Sequence, residues 1–217
     1  MASRRTLVPV VVLCLAAGSA AHAQLPVPRI HFGVLGGAAF SKPGGADVGP
    51  INKTYTGWIA GGFVALPLGT GFGIRPELLY VHKGAVGAEA PGDPDITIRL
   101  PYVEVPVLLN YTLPIPGAGI VSPHLYAGPA VGFRTGCKVR TSDGTNTVTK
   151  GCAGGDPNPE VKRTDFSLTF GGGIGVGRAI IDVRYDLGLT KIDDTGSNAD
   201  VKHRTFYLLA GWTFRTP

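Results

Sequence analysis

The sequence predicts an all-β fold, an eight-stranded antiparallel transmembrane β-barrel of up-and-down topology. Three observations predict it. Apolar and polar residues alternate with a period of two along a series of stretches about ten residues long, as on strands with one apolar and one polar face. The connections between these stretches are short and long in turn. No stretch approaches the roughly 18 consecutive apolar residues of a spanning helix, and 33 glycines among 217 residues argue against long helices of any kind.

The N-terminus reads as a secretory leader. Arg4 and Arg5 give the positive start, Leu7–Ala17 the apolar stretch and Ala21-His22-Ala23 the small-residue cleavage site. Residues 1–23 are therefore expected to be removed, leaving 24–217 as one barrel domain. Loss of Arg4 and Arg5 lowers the formal charge of +5 to about +3. The remaining charges are scattered, with no basic run and no aromatic-basic platform, so no nucleic-acid partner is expected.

Eight strands follow in order. The first, Ile30–Phe40, sets Phe32, Val34, Ala38 and Phe40 against His31, Gly33, Leu35 and Gly37. The second, Thr54–Leu66, is apolar on both faces and its orientation stays open. Phe72–Lys83 sets Ile74, Leu78 and Tyr80 against Arg75, Glu77 and Leu79. Tyr102–Thr112 sets five apolar residues from Val103 to Tyr111 against Glu104 and Asn110. Val121–Arg134 sets Leu125, Ala127, Val131 and Phe133 against His124, Gly128, Gly132 and Arg134. The sixth and seventh form the clearest unit, the hairpin Phe166–Leu189 about the turn Gly177-Arg178. Thr205–Arg215 closes the series, with Phe206, Leu208, Ala210, Trp212 and Phe214 on its apolar face.

Leu68–Gly71, Pro114–Gly119 and Gly177-Arg178 are short connections; Ser41–Lys53, Gly84–Asp95, Thr135–Thr164 and Thr190–Arg204 are long. Short turns at one end and long loops at the other is the pattern of an outer-membrane barrel, with the short turns periplasmic. A charged side chain on the lipid face costs about 2–4 kcal/mol at the midplane. Arg75, Glu77, Glu104, Asp165, Asp182, Arg184 and Asp186 share the polar parity, so they are assigned to the lumen as a charge cluster. Two features fit less easily. Ile96, Ile98 and Leu100 have lumen parity while Arg99 points outward, which requires a bulge or a strand rising above the membrane. Pro76, Pro106 and Pro129 sit inside strands, where each removes a ladder hydrogen bond.

Gly73-Ile-Arg-Pro-Glu-Leu-Leu-Tyr-Val-His-Lys-Gly84, Tyr102-Val-Glu-Val-Pro-Val-Leu-Leu-Asn-Tyr111 and Arg184-Tyr-Asp-Leu-Gly-Leu-Thr-Lys-Ile192 resemble the PorT-like outer-membrane β-barrel proteins, a group often labelled "porin family". The resemblance extends over nearly the whole mature chain. It implies an eight-stranded barrel that accommodates the three prolines, and it implies no particular activity.

Residues with chemical potential are few. His31 and His124 face the lumen from opposite sides of the ring, too far apart to share a metal. Ser122, His124, Asp182 and Asp186 share a face, but at the periplasmic end, whereas outer-membrane enzymes work at the outer rim. His82 is at that rim without a serine beside it. Gly171–Gly177 lacks the spacing of a phosphate loop and is followed by a strand. Asp193, Asp194, Asn198 and Asp200 have no EF-hand spacing and read as a solvated loop. No catalytic residue, cofactor or metal is therefore expected. Loss of Cys14 with the leader leaves Cys137 and Cys152, both in the longest loop and exposed to the oxidising periplasm, where they are expected to pair.

The functional expectation is a non-enzymatic barrel of the bacterial outer membrane, its lumen filled by side chains. Lipid surrounds it, and its long loops meet a protein or surface ligand. The alternatives are a small-solute pore, an outer-membrane lipid-modifying enzyme, and a soluble lipocalin-like barrel with the apolar face inward.

Overall fold

The computed structural model describes residues 30–45, 53–87, 93–117, 120–142, 145–151, 163–190 and 201–215. Its strands are β1 (His31–Gly44), β2 (Tyr55–Gly69), β3 (Phe72–Gly87), β4 (Asp95–Thr112), β5 (Val121–Arg134), β6 (Lys138–Ser142), β7 (Thr147–Gly151), β8 (Thr164–Val176), β9 (Ala179–Gly188) and β10 (Lys202–Arg215). Eight of them close a ring in the order β3-β2-β1-β10-β9-β8-β5-β4, and β4 pairs back to β3. Every pairing is antiparallel. Closure leaves the ring without an edge, as a sheet in lipid requires.

The two faces of the ring have the polarity the alternation predicts. Leu78, Leu109, Leu125, Phe166, Ile181 and Leu208 are each at least half exposed on the outside. Such a continuous apolar band is a membrane surface rather than a soluble one. It excludes the lipocalin arrangement, which places the apolar parity inside. β2 also takes an orientation here: Ile59 and Phe63 are buried in the lumen, while Trp58 and Val64 point out. Aromatic pairs flank the band at both ends. Phe32–Phe214 and Phe72–Tyr111 lie toward the short turns, and Phe40–Phe206 and Trp58–Tyr80 toward the long loops.

At the long-loop end the strands run further than the alternation predicts. The segment read as the loop Gly84–Asp95 contains the end of β3 and the start of β4, in unbroken register from Gly87↔Ile96 to Tyr80↔Val103. No bulge is needed for Ile96, Ile98 and Leu100. The strand pair rises past the ring, where Arg99 is exposed. The segment read as the loop Thr135–Thr164 is likewise structured in part. Its β6 pairs with β4 from Arg99↔Lys138 to Asp95↔Ser142, and β7 folds back on β6. Gly84, Gly87, Pro91, Gly92 and Pro94 mask the ends of β3 and β4 in the sequence, although Ile96, Ile98 and Leu100 keep the lumen parity.

The three prolines form an oblique seam. Pairing of β2 with β3 skips from Phe63↔Glu77 to Leu66↔Ile74, beside Pro76. Pairing of β3 with β4 skips from Pro76↔Val107 to Leu79↔Glu104, beside Pro106. Pairing of β4 with β5 skips from Pro106↔Ala130 to Leu109↔Ala127, beside Pro129. Each proline thus interrupts the ladder toward the preceding strand of the ring and keeps its pairing toward the next.

Glycines of the inner face let side chains enter the lumen. A Cβ at Gly171 would meet the Val183 carbonyl and lie 2.9 Å from the Tyr126 hydroxyl. Gly171→Val is expected to destabilise the barrel by about 1–3 kcal/mol through overpacking. The urea midpoint of the protein refolded in detergent micelles measures it. Ile174→Leu, on the lipid face two positions beyond Gly172, is expected to cost less than about 1.5 kcal/mol.

Candidate functional site

All seven charged residues assigned to the lumen from parity are buried there, each 8% exposed or less. The ring geometry decides what they meet. β3 and β9 stand four positions apart in either direction round the eight-stranded ring, so they face each other across its full width. Three ion pairs span that width. Arg75 Nη2 on β3 lies 3.3 Å from Asp182 Oδ2 on β9. Arg184 on β9 makes a two-pronged contact with Glu77 on β3, donating from Nη1 to Oε2 at 2.7 Å and from Nη2 to Oε1 at 2.9 Å. Lys83 Nζ on β3 donates to Asp186 Oδ2 on β9 at 2.7 Å.

Shorter contacts extend these rungs. Arg75 Nε is 2.8 Å from Glu77 Oε1, near enough for an ion pair but not aligned as a hydrogen bond. Both guanidinium groups lie over the Tyr126 ring, Arg75 at 4.4 Å and Arg184 at 5.1 Å from its centroid, where the negative face of the ring favours a cation. His124 Nε2 is 2.8 Å from Asp182 Oδ1. Lys83 also meets Glu104 at 2.6 Å, and Thr169 donates to the free oxygen of Asp186 at 2.8 Å. Asp165 is buried near the long-loop end of β8, on the lumen face that Lys83 occupies.

Sequence reasoning missed Lys83 and His203. Lys83 is fully buried and has the parity of Arg75 and Glu77; its position at the predicted strand end hid it. His203 lay in a segment read as loop, yet it is buried and its Nε2 is 3.4 Å from the hydroxyl of Tyr102 on the opposite side of the ring. The other half of the lumen is apolar. Leu35, Ala39, Ile59, Phe63, Leu79, Val81, Tyr207 and Leu209 form one cluster on β1, β2, β3 and β10.

The short-turn end stays open as a vestibule of about 370 Å³, lined by His31, Arg75, Asn110, Ser122 and His124 among others. Ser122, His124 and Asp182 meet there without forming a nucleophilic triad. His124 Nδ1 faces the backbone carbonyl of Ser122 at 3.3 Å, not its hydroxyl, so the imidazole has no nitrogen left to take that proton. At the other end, His82 stacks on Trp58 at 4.7 Å on the outer surface. Asp193, Asp194, Asn198, Asp200, Cys152 and the leader lie outside the described residues. Among the described residues no group of three His, Cys, Asp or Glu side chains is placed to hold a metal.

Residues 22–194 match the family described as outer membrane protein beta-barrel domain. The chain belongs to this family. It is an outer-membrane protein. Among solved structures, Ail, the attachment invasion locus protein of Yersinia pestis, in complex with the heparin analogue sucrose octasulfate, is 18% identical. The match covers 86% of this chain and 99% of that one, with a TM-score of 0.45. Neisserial surface protein A is 15% identical over 85% of this chain and 97% of that one, at 0.46. The outer membrane enzyme PagL is 12% identical over 83% and 98%, at 0.43. A search of curated proteins finds no match.

In this outer-membrane barrel Glu77 is the hub of the lumen. Glu77→Ala would leave two buried guanidinium groups short of their carboxylate, which is expected to destabilise the fold by about 3–5 kcal/mol. Replacing Glu77 and Arg184 together by Met is expected to cost less than Glu77→Ala alone. A double-mutant cycle from urea unfolding in micelles measures both.

Proposed function

We propose that the protein is a non-enzymatic outer-membrane barrel whose lumen is closed to solutes and whose long-loop end meets a surface ligand or partner protein. The observation that carries this reading is the set of three ion pairs across the full width of the ring, at Arg75–Asp182, Arg184–Glu77 and Lys83–Asp186. An eight-stranded ring has an interior just wide enough to be filled by side chains. Here charged rungs fill one part and the Leu35–Leu209 cluster another. A solute would have to break buried pairs to pass, and breaking such a pair is strongly unfavourable.

We read the short-turn end as periplasmic and the long-loop end as extracellular, following the loop asymmetry of bacterial barrels. Within the family, the Pro-Glu-Leu, Glu-Val-Pro and Tyr-Asp-Leu-Gly elements support a PorT-like assignment. Rigid strands holding long variable segments make a platform for recognition, since binding residues concentrate on loops carried by a stable scaffold. The β6–β7 hairpin, with β7 exposed along its whole length and β6 half-buried in part, extends that platform. Planar-bilayer recording tests the closed lumen: the purified protein is expected to give no large, stable, ohmic steps, and such steps would refute the reading.

We further propose a Cys137–Cys152 disulfide in the exported protein. It is supported by the place of Cys137, between the end of β5 and the start of β6, at the base of the segment that leads to Cys152. Closing a loop of this size stabilises by roughly 3 kcal/mol in the chain-entropy model, and the bond would fix the base of the hairpin. Thiol counting on denatured, unreduced protein from outer membranes is expected to find none; two titratable thiols would exclude the bond.

A further inference from the structure

Two rows on the outer face run from apolar residues through aromatic rings to cations, and the closed lumen makes no use of those cations. On β1 and β10 the register pairs Ala38 with Leu208, Phe40 with Phe206 and Lys42 with Arg204. Residues directly opposite share a face, so Lys42 and Arg204 stand one step above an aromatic pair whose centroids are 6.3 Å apart. With Tyr185, these four side chains line an open groove of about 610 Å³.

The second row lies on β2, β3, β4 and β6. Trp58 stacks on His82 at 4.7 Å and meets Tyr80 at 5.5 Å. One step above His82 on the same face, Gly84 is opposite Arg99. Arg99 in turn is opposite Lys138, and Thr97 opposite Arg140. Lys42, Arg204, Arg99, Lys138 and Arg140 are all exposed. No carboxylate among the described residues is within ion-pair distance of any of them. Asp95, farther along β4, lies 3.8 Å from Lys53 instead.

We propose that these two rows bind the phosphorylated headgroups of outer-leaflet lipid. The occupant follows from continuity with the lipid-facing band. Aromatic rings mark the boundary between acyl chain and headgroup, and two residues along a strand rise about 7 Å, which puts the cations at headgroup height. Exposed Lys and Arg side chains there are drawn to an anionic lipid surface. The rings pack against the first methylenes of the chains while the cations meet the phosphates.

Native mass spectrometry of the folded protein in detergent micelles tests this, with bis-phosphorylated lipid A and the same lipid after dephosphorylation as the two probes. The phosphorylated form is expected to bind at least about tenfold more tightly, and its affinity to fall as salt rises, because exposed charges are screened. Lys42→Gln with Arg204→Gln, and Arg99→Gln with Lys138→Gln and Arg140→Gln, are expected to weaken binding about fivefold per cation removed. Both sets should keep the gel-mobility shift on boiling that reports a folded barrel. Equal binding of the two lipids by the wild-type protein would overturn the proposal, as would folded variants that bind the phosphorylated lipid like wild type. If a variant fails to fold, the wild-type comparison of lipids and salt still decides.

Discussion

The structure depends on the pairing of charges across a lumen only one ring wide. Lipid on the outside forces charged side chains to the inner face of each strand. Once inside, an unpaired charge is costly because little water remains to solvate it. The buried set comprises three cations, Arg75, Lys83 and Arg184, and five carboxylates, Glu77, Glu104, Asp165, Asp182 and Asp186. Cations and acids are distributed on facing strands, so that each of the three cations reaches an acid on the far wall, and Arg75 and Lys83 also meet one on their own or the adjoining strand. Glu77 and Asp182 each serve more than one donor.

The lumen is divided rather than uniformly polar. β1, β2 and β10 contribute Leu35, Ala39, Ile59, Phe63, Tyr207 and Leu209 to an apolar half, while β5, β8 and β9 contribute His124, Thr169, Asp182, Arg184 and Asp186. β3 stands between, with Arg75, Glu77 and Lys83 interleaved with Leu79 and Val81 on one face. The apolar half fills volume through close packing, and the polar half through directional bonds. Both arrangements hold the walls at a fixed separation, so the ends of the strands are carried on a rigid frame. Whatever the long loops meet, they meet it from fixed anchor points.

Much of this was legible in the sequence, and the reason lies in the membrane. Where lipid sits on one side, a one-residue shift in register would expose every charge, so parity alone assigned Arg75, Glu77, Glu104, Asp165, Asp182, Arg184 and Asp186 to the interior. The same parity covered Lys83, but it stood at the boundary where alternation fades. Ile96, Ile98 and Leu100 keep the lumen parity while pairing with β3 and β6, but the Gly and Pro residues just before them read as a loop. Nor does parity say which strand faces which. The diametric pairing of β3 with β9 follows from closure of the ring, a property of the whole chain and not of any one segment. β2 was unreadable for a simpler reason: both of its faces are apolar, because it borders lipid on one side and the apolar half of the lumen on the other.

Closure also explains how the prolines are tolerated. Pro76 and Pro106 weaken the ladder on both sides of β3, beside β2 and beside β4. In lipid, lost backbone hydrogen bonds are more damaging than in water. Yet the residues flanking Pro76 are Arg75 and Glu77, the two that reach across to Asp182 and Arg184 on β9. The interruption in lateral bonding therefore coincides with the strongest transverse bonding in the barrel. Charge-assisted, two-pronged contacts such as Arg184–Glu77 are stronger than the neutral backbone bonds that the prolines remove. The wall is held from inside at the height where it is least held from the sides, which ties the lumen charges to the integrity of the fold.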